Sequence, residues 1–480
     1  MRTQTLRHLA LEPSPLEHSK PPELSWHDYL IMLLHIGAEI EHGLMVEYLY
    51  AAYSLGGDQV PARHRPKVQR WRDAILTVAV EEMGHLLCVQ NLLCLLGGPV
   101  NLDREDYPWD TPYYPFPFRL EPISPRALSC YVFAEMPLDT PKGKAAARRY
   151  REFQREDRAK ILRTVRRYSR RDQPHRVGEI YETVLELISD QTRIPDVCFD
   201  PSTYDVQASW DEWGRGHQPP PRSLDPEGSL EGAPQPQRGG NVIIRRMATR
   251  SQAIAALQAI SGQGEAPHLG TGELDEPSHF DRFLEIYQGF ERIEGWESAR
   301  DVPINPTTIH PRVGRAEGTY IESERSRGWA HLFNVRYRML LTYLSHTFRL
   351  ARVTSPTEPN VRAAVMHRVF GEMYNLKTIA GILMRLPLRD GGRRPSGEPR
   401  WAGPPFEMPY SLRLPAADAD CWRLHQDLLA SAGHLGDRLL PDATPDGERY
   451  LRTLRQLDAE SLVWLETILA GAGAGGRAAV

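Results

Sequence analysis

The tetrapeptide Glu82-Met-Gly-His85 sits in the middle of an apolar helical stretch, Trp71 to Leu96, rather than on its wet side. At about 100° per residue, Trp71, Ile75, Val78, Leu86, Val89, Leu93 and Leu96 all fall within roughly 40° of Glu82. The Glu82 carboxylate therefore points into the core. An unpaired buried ion costs several kcal/mol, so a compensating partner is required, and a metal ion is one such partner.

A second inward glutamate lies upstream. The segment 26–55 opens with a capping-box pattern, Ser25 and Asp28, and stops at Gly56-Gly57. Within it Glu41 shares a face with Leu30, Leu34, Gly37, Leu44, Met45, Tyr48 and Ala52. Glu39 lies on the opposite face and Glu47 at the edge, so both are expected to be solvated or rim residues. Glu81 is out of phase on its helix in the same way. A short Gly/Pro-containing loop, 56–66, makes the two helices antiparallel neighbours and brings Glu41 and Glu82 to a similar height. Carboxylate-bridged metal pairs are built this way, from single glutamates and Glu-x-x-His motifs projecting into a four-helix core.

A chain of 480 residues suits one large elaborated domain or two to three ordinary ones. A net charge of −4 with 25% charged residues indicates no general nucleic-acid or membrane role. Residues 1–24 contain no apolar signal-peptide core, and no uncharged run is long enough to span a bilayer. The scattered cysteines 88, 94, 130, 198 and 421, with no C-x-x-C, are expected to be reduced thiols in a cytoplasmic protein.

Further helices are expected over 124–136, 177–190, 249–264, from about Glu276-Pro277-Ser278-His279 onward, and over 326–351, 358–386, 416–434 and 446–470. The expected partition is an N-terminal extension (1–24), a first helical hairpin (25–99), an insertion with short helices and a proline-rich loop (100–245), the second half of the bundle (246–390), a C-terminal helical extension (391–470) and a disordered Gly/Ala tail (471–480). The Lys/Arg-dense segment 142–171 reads as a solvated helix or as a docking patch for an anion. The loops 100–123, with Tyr107, Trp109, Tyr113 and Tyr114, and 196–245 are expected to shape a substrate pocket, although each aromatic could equally pack the crossover onto the bundle.

His279 heads the apolar stripe Phe283, Ile286 and Phe290, and Gln263-Gly264-Glu265 ends the preceding helix. The candidate metal ligands are thus Glu41, Glu82, His85, Glu265, His279 and Glu276, with Glu276 also able to cap its helix and His331 in reserve. Two divalent irons carry a charge of +4, which four carboxylates neutralise. Oxygen and imidazole donors fit iron, two per chain, or manganese better than a thiolate zinc site.

The stretches AEIEHGLMVEYLYAAYSL (38–55), AVEEMGHLLCVQNLLCLLGGP (79–99), RLEPISPRALSCYVFAEMP (119–137), VGEIYETVLELI (177–188), ISGQGEAP (260–267) and SHFDRF (278–283) resemble the ferritin-like domain of the iminophenyl-pyruvate dimer synthase family, which includes the oxidative-coupling enzyme of violacein-type bisindole pathways. The similarity covers about 25–295, with a looser echo in GPPFEMP near 405. It implies an all-α fold, a ferritin-like four-helix bundle carrying long insertions and additional C-terminal helices. It also implies that the hairpin glutamates, the Glu-x-x-His, the Gln-Gly-Glu and the Ser-His face metal, and that the reaction oxidises an amino-acid-derived imine.

The leading functional expectation is a non-haem iron oxidase or oxygenase of natural-product biosynthesis, with a di-iron centre, that uses O₂ on an amino-acid-derived small molecule. Electrons would come from the substrate or a reductase, and an upstream amino-acid oxidase is a candidate partner. Metal storage and a non-catalytic scaffold are the alternatives. No G-x-S-x-G, P-loop or dinucleotide fingerprint points to another chemistry.

Overall fold

Ser25 starts the first long helix. Its hydroxyl accepts from the Asp28 amide at 3.0 Å while the Asp28 carboxylate accepts from the Ser25 amide at 3.3 Å, the reciprocal cap expected from the sequence. Helix α1 runs Trp26–Ser54 and stops where Gly56 and Gly57 take left-handed backbone, φ 89° and 117°. Helix α2, Arg65–Leu95, begins nearly two turns before the apolar stretch, because Pro66 in its first turn is already compatible with a helical start.

The computed structural model describes residues 20–138, 144–169, 174–213, 242–264, 277–312, 318–352, 360–391 and 400–475. After the hairpin come α3 (Pro125–Ala134), α4 (Lys144–Glu156), α5 (Arg158–Ser169), α6 (Val177–Ser189), the short α7 (Trp210–Trp213), α8 (Arg250–Gly264), α9 (His279–Phe290), α10 (Glu324–Thr347), α11 (Val361–Leu383), α12 (Asp418–Leu439) and α13 (Pro445–Gly475). The fold is all-α. Among the described residues its strands are one parallel pair, β1 (Pro306–Thr307) and β2 (Thr319–Tyr320).

Helices α1 and α2 pack along each other, with α6 against α1 and with α8 and α9 against α2. Helix α3 reaches α1 through Tyr131, whose ring meets Tyr48 edge-on at 4.8 Å, and also packs on α9, while α6 packs on α8. Two of the four bundle positions are therefore filled by two shorter helices each, and the breaks fall near one level. The C-terminal ends of α3 and α8 and the N-terminal ends of α6 and α9 all reach the neighbourhood of Glu41 and Glu82.

From Glu81 to Leu93 every residue of α2 is buried, so this part of the helix is wrapped on all sides. By length and composition both α1 and α2 could cross a membrane, but 67% and 94% of their apolar stretches are buried within the protein, so both serve as core helices. Gly84 makes this wrapping possible: a Cβ there would lie 2.7 Å from the Ile243 carbonyl oxygen of the covering extended segment.

The basic segment forms α4 and α5. Their apolar sides, Tyr150, Phe153, Ile161, Leu162 and Val165, are buried, and Phe153 and Tyr150 pack on Phe280 of α9. The cations lie outward, with Arg149 on Asp281 and Lys160 on Glu291. Helix α10 packs on α11 and α12, and α12 on α13, forming a second helical layer. It is tied to the bundle through Arg104, which donates to the Phe406 carbonyl at 2.7 Å and to Tyr337 at 3.2 Å. Helix α13 continues to Gly475, past the point where the sequence leads one to expect order to end. The proline-rich stretch 218–240 lies outside the described residues.

Candidate metal centre

Glu82 lies at the middle of the site. Its Oε2 is 2.8 Å from His85 Nδ1, one helical turn on, and its Oε1 is 2.8 Å from His279 Nδ1. Each imidazole has a second carboxylate beside it. Glu41 Oε2 is 3.6 Å from His85 Nδ1, and Glu135 Oε2 is 3.7 Å from His279 Nδ1. The result is two matching half-sites, each of one Nδ1 and one terminal carboxylate, sharing the two oxygens of Glu82. All five residues are buried.

The far sides of these ligand-type groups are also held. Tyr181 donates its hydroxyl to Glu41, and Tyr48 donates to Glu135 Oε1 at 2.6 Å. His85 Nε2 faces Gln263 Oε1 at 3.0 Å, and His279 Nε2 faces Glu81 Oε2 at 2.9 Å, an oxygen that also accepts from Arg282 at 2.6 Å. Acceptors at both Nε2 atoms fix the tautomer that leaves Nδ1 free to point inward, the usual outer arrangement around a metal-bound histidine.

These groups titrate far from their ordinary values. Burial, then the charge of Glu82, pushes Glu41 up to about 8, and the same two causes raise Glu135. Burial opposes ionisation of Glu82 too, yet the charges of His279 and His85 outweigh it and hold Glu82 well below the usual carboxylate range. Against their own burial, His85 is lifted to about 10 and His279 well above its ordinary value, in both cases chiefly by Glu82. The cluster thus retains positive charge at its centre by keeping protons that a cation would displace.

The donor set fits a hard to borderline divalent metal. One oxygen or nitrogen from each of Glu82, His85 and His279 lies within 4.8 Å of the others. His279 Nδ1 is buried and, despite the nearby Glu82 oxygen, lacks a hydrogen bond of acceptable geometry among the described residues. Cys88, on the same helix, is not part of the set, because its sulfur is engaged with the Ile243 carbonyl and the Arg245 amide.

A ferritin-like family model matches residues 34–288, α1 through α9, which is more than half of the chain and carries every residue of this cluster. The chain belongs to the ferritin-like family. Dichlorochromopyrrolate synthase of Lentzea aerocolonigenes is 24% identical over 436 residues, an alignment that covers 83% of this chain and 37% of that protein. The chain therefore spans little more than a third of that relative's length. No solved structure matches.

The structure brings together four of the six sequence-level candidates in this ferritin-like protein, Glu41, Glu82, His85 and His279. Glu265 and Glu276 lie outside the described residues. The capping role considered for Glu276 belongs to Ser278, whose hydroxyl accepts from the Asp281 amide at 3.2 Å, so α9 starts at His279. His331 is exposed on α10 and away from the cluster. Sequence reasoning misses Glu135. The available signal is a lone acid closing the apolar run of α3, between Ala134 and Met136, both fully buried.

The other glutamates correct the helical-wheel reading. Glu47 is buried and accepts from the Arg119 amide, and Glu81 is fully buried against His279 and Arg282. A wheel assigns a wet side only to a helix that has one, and both helices are covered around most of their circumference here. Glu39 is half-buried and faces Asn101 and Tyr114, each at 3.3 Å. The aromatic crossover takes both roles weighed for it. Trp109, Tyr114 and Phe118 pack on one another, Tyr107 lines a cavity with Asp106, Asn305 and Glu407, and the pocket beside the cluster is lined by Leu44, Ala134, Val177, Tyr181, Ile260 and Gly264.

Proposed function

We propose that this ferritin-like protein is a di-iron oxidoreductase that uses O₂ to oxidise an amino-acid-derived small molecule in natural-product biosynthesis, with oxidative imine coupling as the reaction class. The observation that carries the reading is the double reach of Glu82, one oxygen to each histidine at 2.8 Å, which creates two adjacent positions of like composition. Glu41 and His85 would hold one ion, Glu135 and His279 the other, and Glu82 would bridge them. With charges of −1 from each of Glu41, Glu82 and Glu135, two divalent ions leave one positive charge, for which Glu265, next in the chain after Gly264, is the proposed fourth carboxylate. Iron bound there would pass electrons from the substrate or a reductase to O₂.

The chain's own residues set the conditions for that chemistry. Tyr181 and Tyr48 orient the two outer carboxylates, and Gln263 and Glu81 orient the imidazoles. Leu44, Ala134, Val177 and Ile260 form apolar walls beside the cluster and exclude bulk water. Beyond the cluster itself, Tyr181 and Ser261 are polar groups of the same lining, around a cavity of about 20 Å³ that would take a water- or O₂-sized molecule next to Glu41 and His85. The relative's printed name, that of a synthase of a small organic molecule, supports a small-molecule substrate.

The test is metal analysis of purified protein after anaerobic iron loading, together with O₂ uptake in the presence of amino-acid-derived imines. About two irons per chain and substrate-dependent O₂ uptake are expected. Two irons with O₂ consumption indifferent to every organic substrate would favour storage, and no bound metal would leave only a scaffold.

A further inference from the structure

The two half-sites match in their inner residues but not in what stands behind their imidazoles. Behind His85 is a neutral amide, Gln263 Oε1 at 3.0 Å. Behind His279 is a fully buried carboxylate, Glu81 Oε2 at 2.9 Å. Hydrogen bonds to ionised acceptors are roughly twice as strong as neutral ones, and a carboxylate acceptor makes the bound imidazole a more basic ligand.

Glu81 does a second thing. The oxygen that faces His279 also accepts from Arg282 Nη1 at 2.6 Å, and His279 and Arg282 are one turn apart at the start of α9. One carboxylate on α2 thereby fixes the first turn of α9 and the ring plane of its leading histidine. Its sequence neighbour Glu82 meets the opposite nitrogen of that ring. His279 is thus clamped between consecutive residues of a stretch of α2 that is itself fully buried. Arg282 places a guanidinium against Glu81 in this dry setting, where a carboxylate without a countercharge is costly. Gln263, in the last turn of α8, offers His85 an acceptor without charge.

Resting on the di-metal reading above, we infer that the two positions are unequal, and that the half-site of His279, Glu135 and Glu82 Oε1 takes up metal before the half-site of His85, Glu41 and Glu82 Oε2. Glu81 is the positioning residue that sets this order. It touches neither ion. The centre therefore fills stepwise, and a singly loaded form with the ion on the His279 side exists at intermediate metal concentration.

The experiment is anaerobic titration of the metal-free full-length protein with Co(II), followed by calorimetry and by visible absorption, which reports each cobalt environment separately. Wild type is expected to show two steps whose affinities differ by about 10–100-fold, the range by which outer partners of metal ligands act. Glu81→Gln should weaken the first step by that factor and merge the two, and Gln263→Glu should merge them by strengthening the second. Glu135→Gln should remove the tight step, whereas Glu41→Gln should remove the weak one. Two steps of equal affinity in wild type, or loss of the tight step in Glu41→Gln, would overturn the inference and leave the di-metal reading standing. Failure of wild type to bind cobalt would overturn both. Because Glu81→Gln could also unsettle α9, Gln263→Glu supplies an independent measurement: unchanged step spacing in that variant counts against the order.

Discussion

Tyr48 and Glu135 are joined by a hydrogen bond of 2.6 Å that links the C-terminal part of α1 to the end of α3, with both residues buried. Tyr48 also packs on Tyr131 and Phe283, at ring separations of 4.8 and 4.7 Å, so removing its hydroxyl alone changes the bond without emptying the space. Tyr48→Phe should therefore fold normally and lower affinity at one metal position by about tenfold, the lower end of the effect of outer partners on metal sites. Equilibrium Co(II) titration measures this. Unchanged affinity would show that Glu135 needs no orientation from Tyr48.

Glu82→Ala removes the group shared by both half-sites. Bound iron should fall to near background with helical content preserved, as read by elemental analysis and far-ultraviolet circular dichroism. Glu39 is the proper control, because it lies on α1 and faces Asn101 and Tyr114 instead of the cluster. Glu39→Gln should keep its iron. A loss there as large as in Glu82→Ala would mean that metal binding reports general stability and not these ligands.

The C-terminal layer contains a histidine pair with a definite acid sensitivity. His346 Nδ1 and His425 Nε2 are 2.9 Å apart and fully buried. Burial lowers His346 to about 4, while burial and then the neighbouring His346 lower His425 to about 3. Both therefore stay neutral in the folded protein while the unfolded chain protonates near 6.5. Stability from this pair is fully present above about pH 6.5 and is lost as pH falls toward about 4, at up to about 1.4 kcal/mol per pH unit per histidine. Urea unfolding at pH 7, 6 and 5 should show this slope, and the double variant His346→Phe with His425→Phe should flatten it. Parallel slopes in the two proteins would disprove the assignment.

Arg336 is enclosed between Glu372, at 3.0 Å, and Asp458, at 2.9 Å, linking α10, α11 and α13. Breaking a buried pair of this sort leaves an uncompensated charge and costs about 3–5 kcal/mol. Asp458→Ala should lose roughly that much in urea unfolding while retaining its full metal content, since the triad belongs to the second layer. A loss below about 1 kcal/mol would show that Glu372 alone satisfies the guanidinium.

The hairpin is readable because its signals are local. The cap at Ser25 and Asp28, the paired glycines after α1 and the apolar phase around Glu82 each lie within a few residues, and each recurs in the structure. The placement of His279 is readable for the same reason, as the head of the Phe283 and Ile286 stripe. Glu135 and Glu81 are not, since their significance depends on which distant helix covers them. Glu135 closes a helix too short to show a clear phase, and Glu81 lies on the face that a wheel makes wet until α9 arrives. Trp109 takes the packing role that the sequence leaves open beside a pocket role, because an aromatic-rich crossover carries no local mark distinguishing a pocket wall from a packed cover.

The burial of α2 from Glu81 to Leu93 has a consequence for synthesis. The partner that meets Glu81 lies 198 residues farther along the chain and is made later. At about 5–20 residues per second, a ribosome needs about 10–40 s to deliver it. Throughout that interval the nascent hairpin can cover α2 on one side only, leaving apolar residues and two core carboxylates without their later neighbours. Until α9 is made the hairpin presents apolar, aggregation-prone surface, and heterologous yield should rise with chaperone supply.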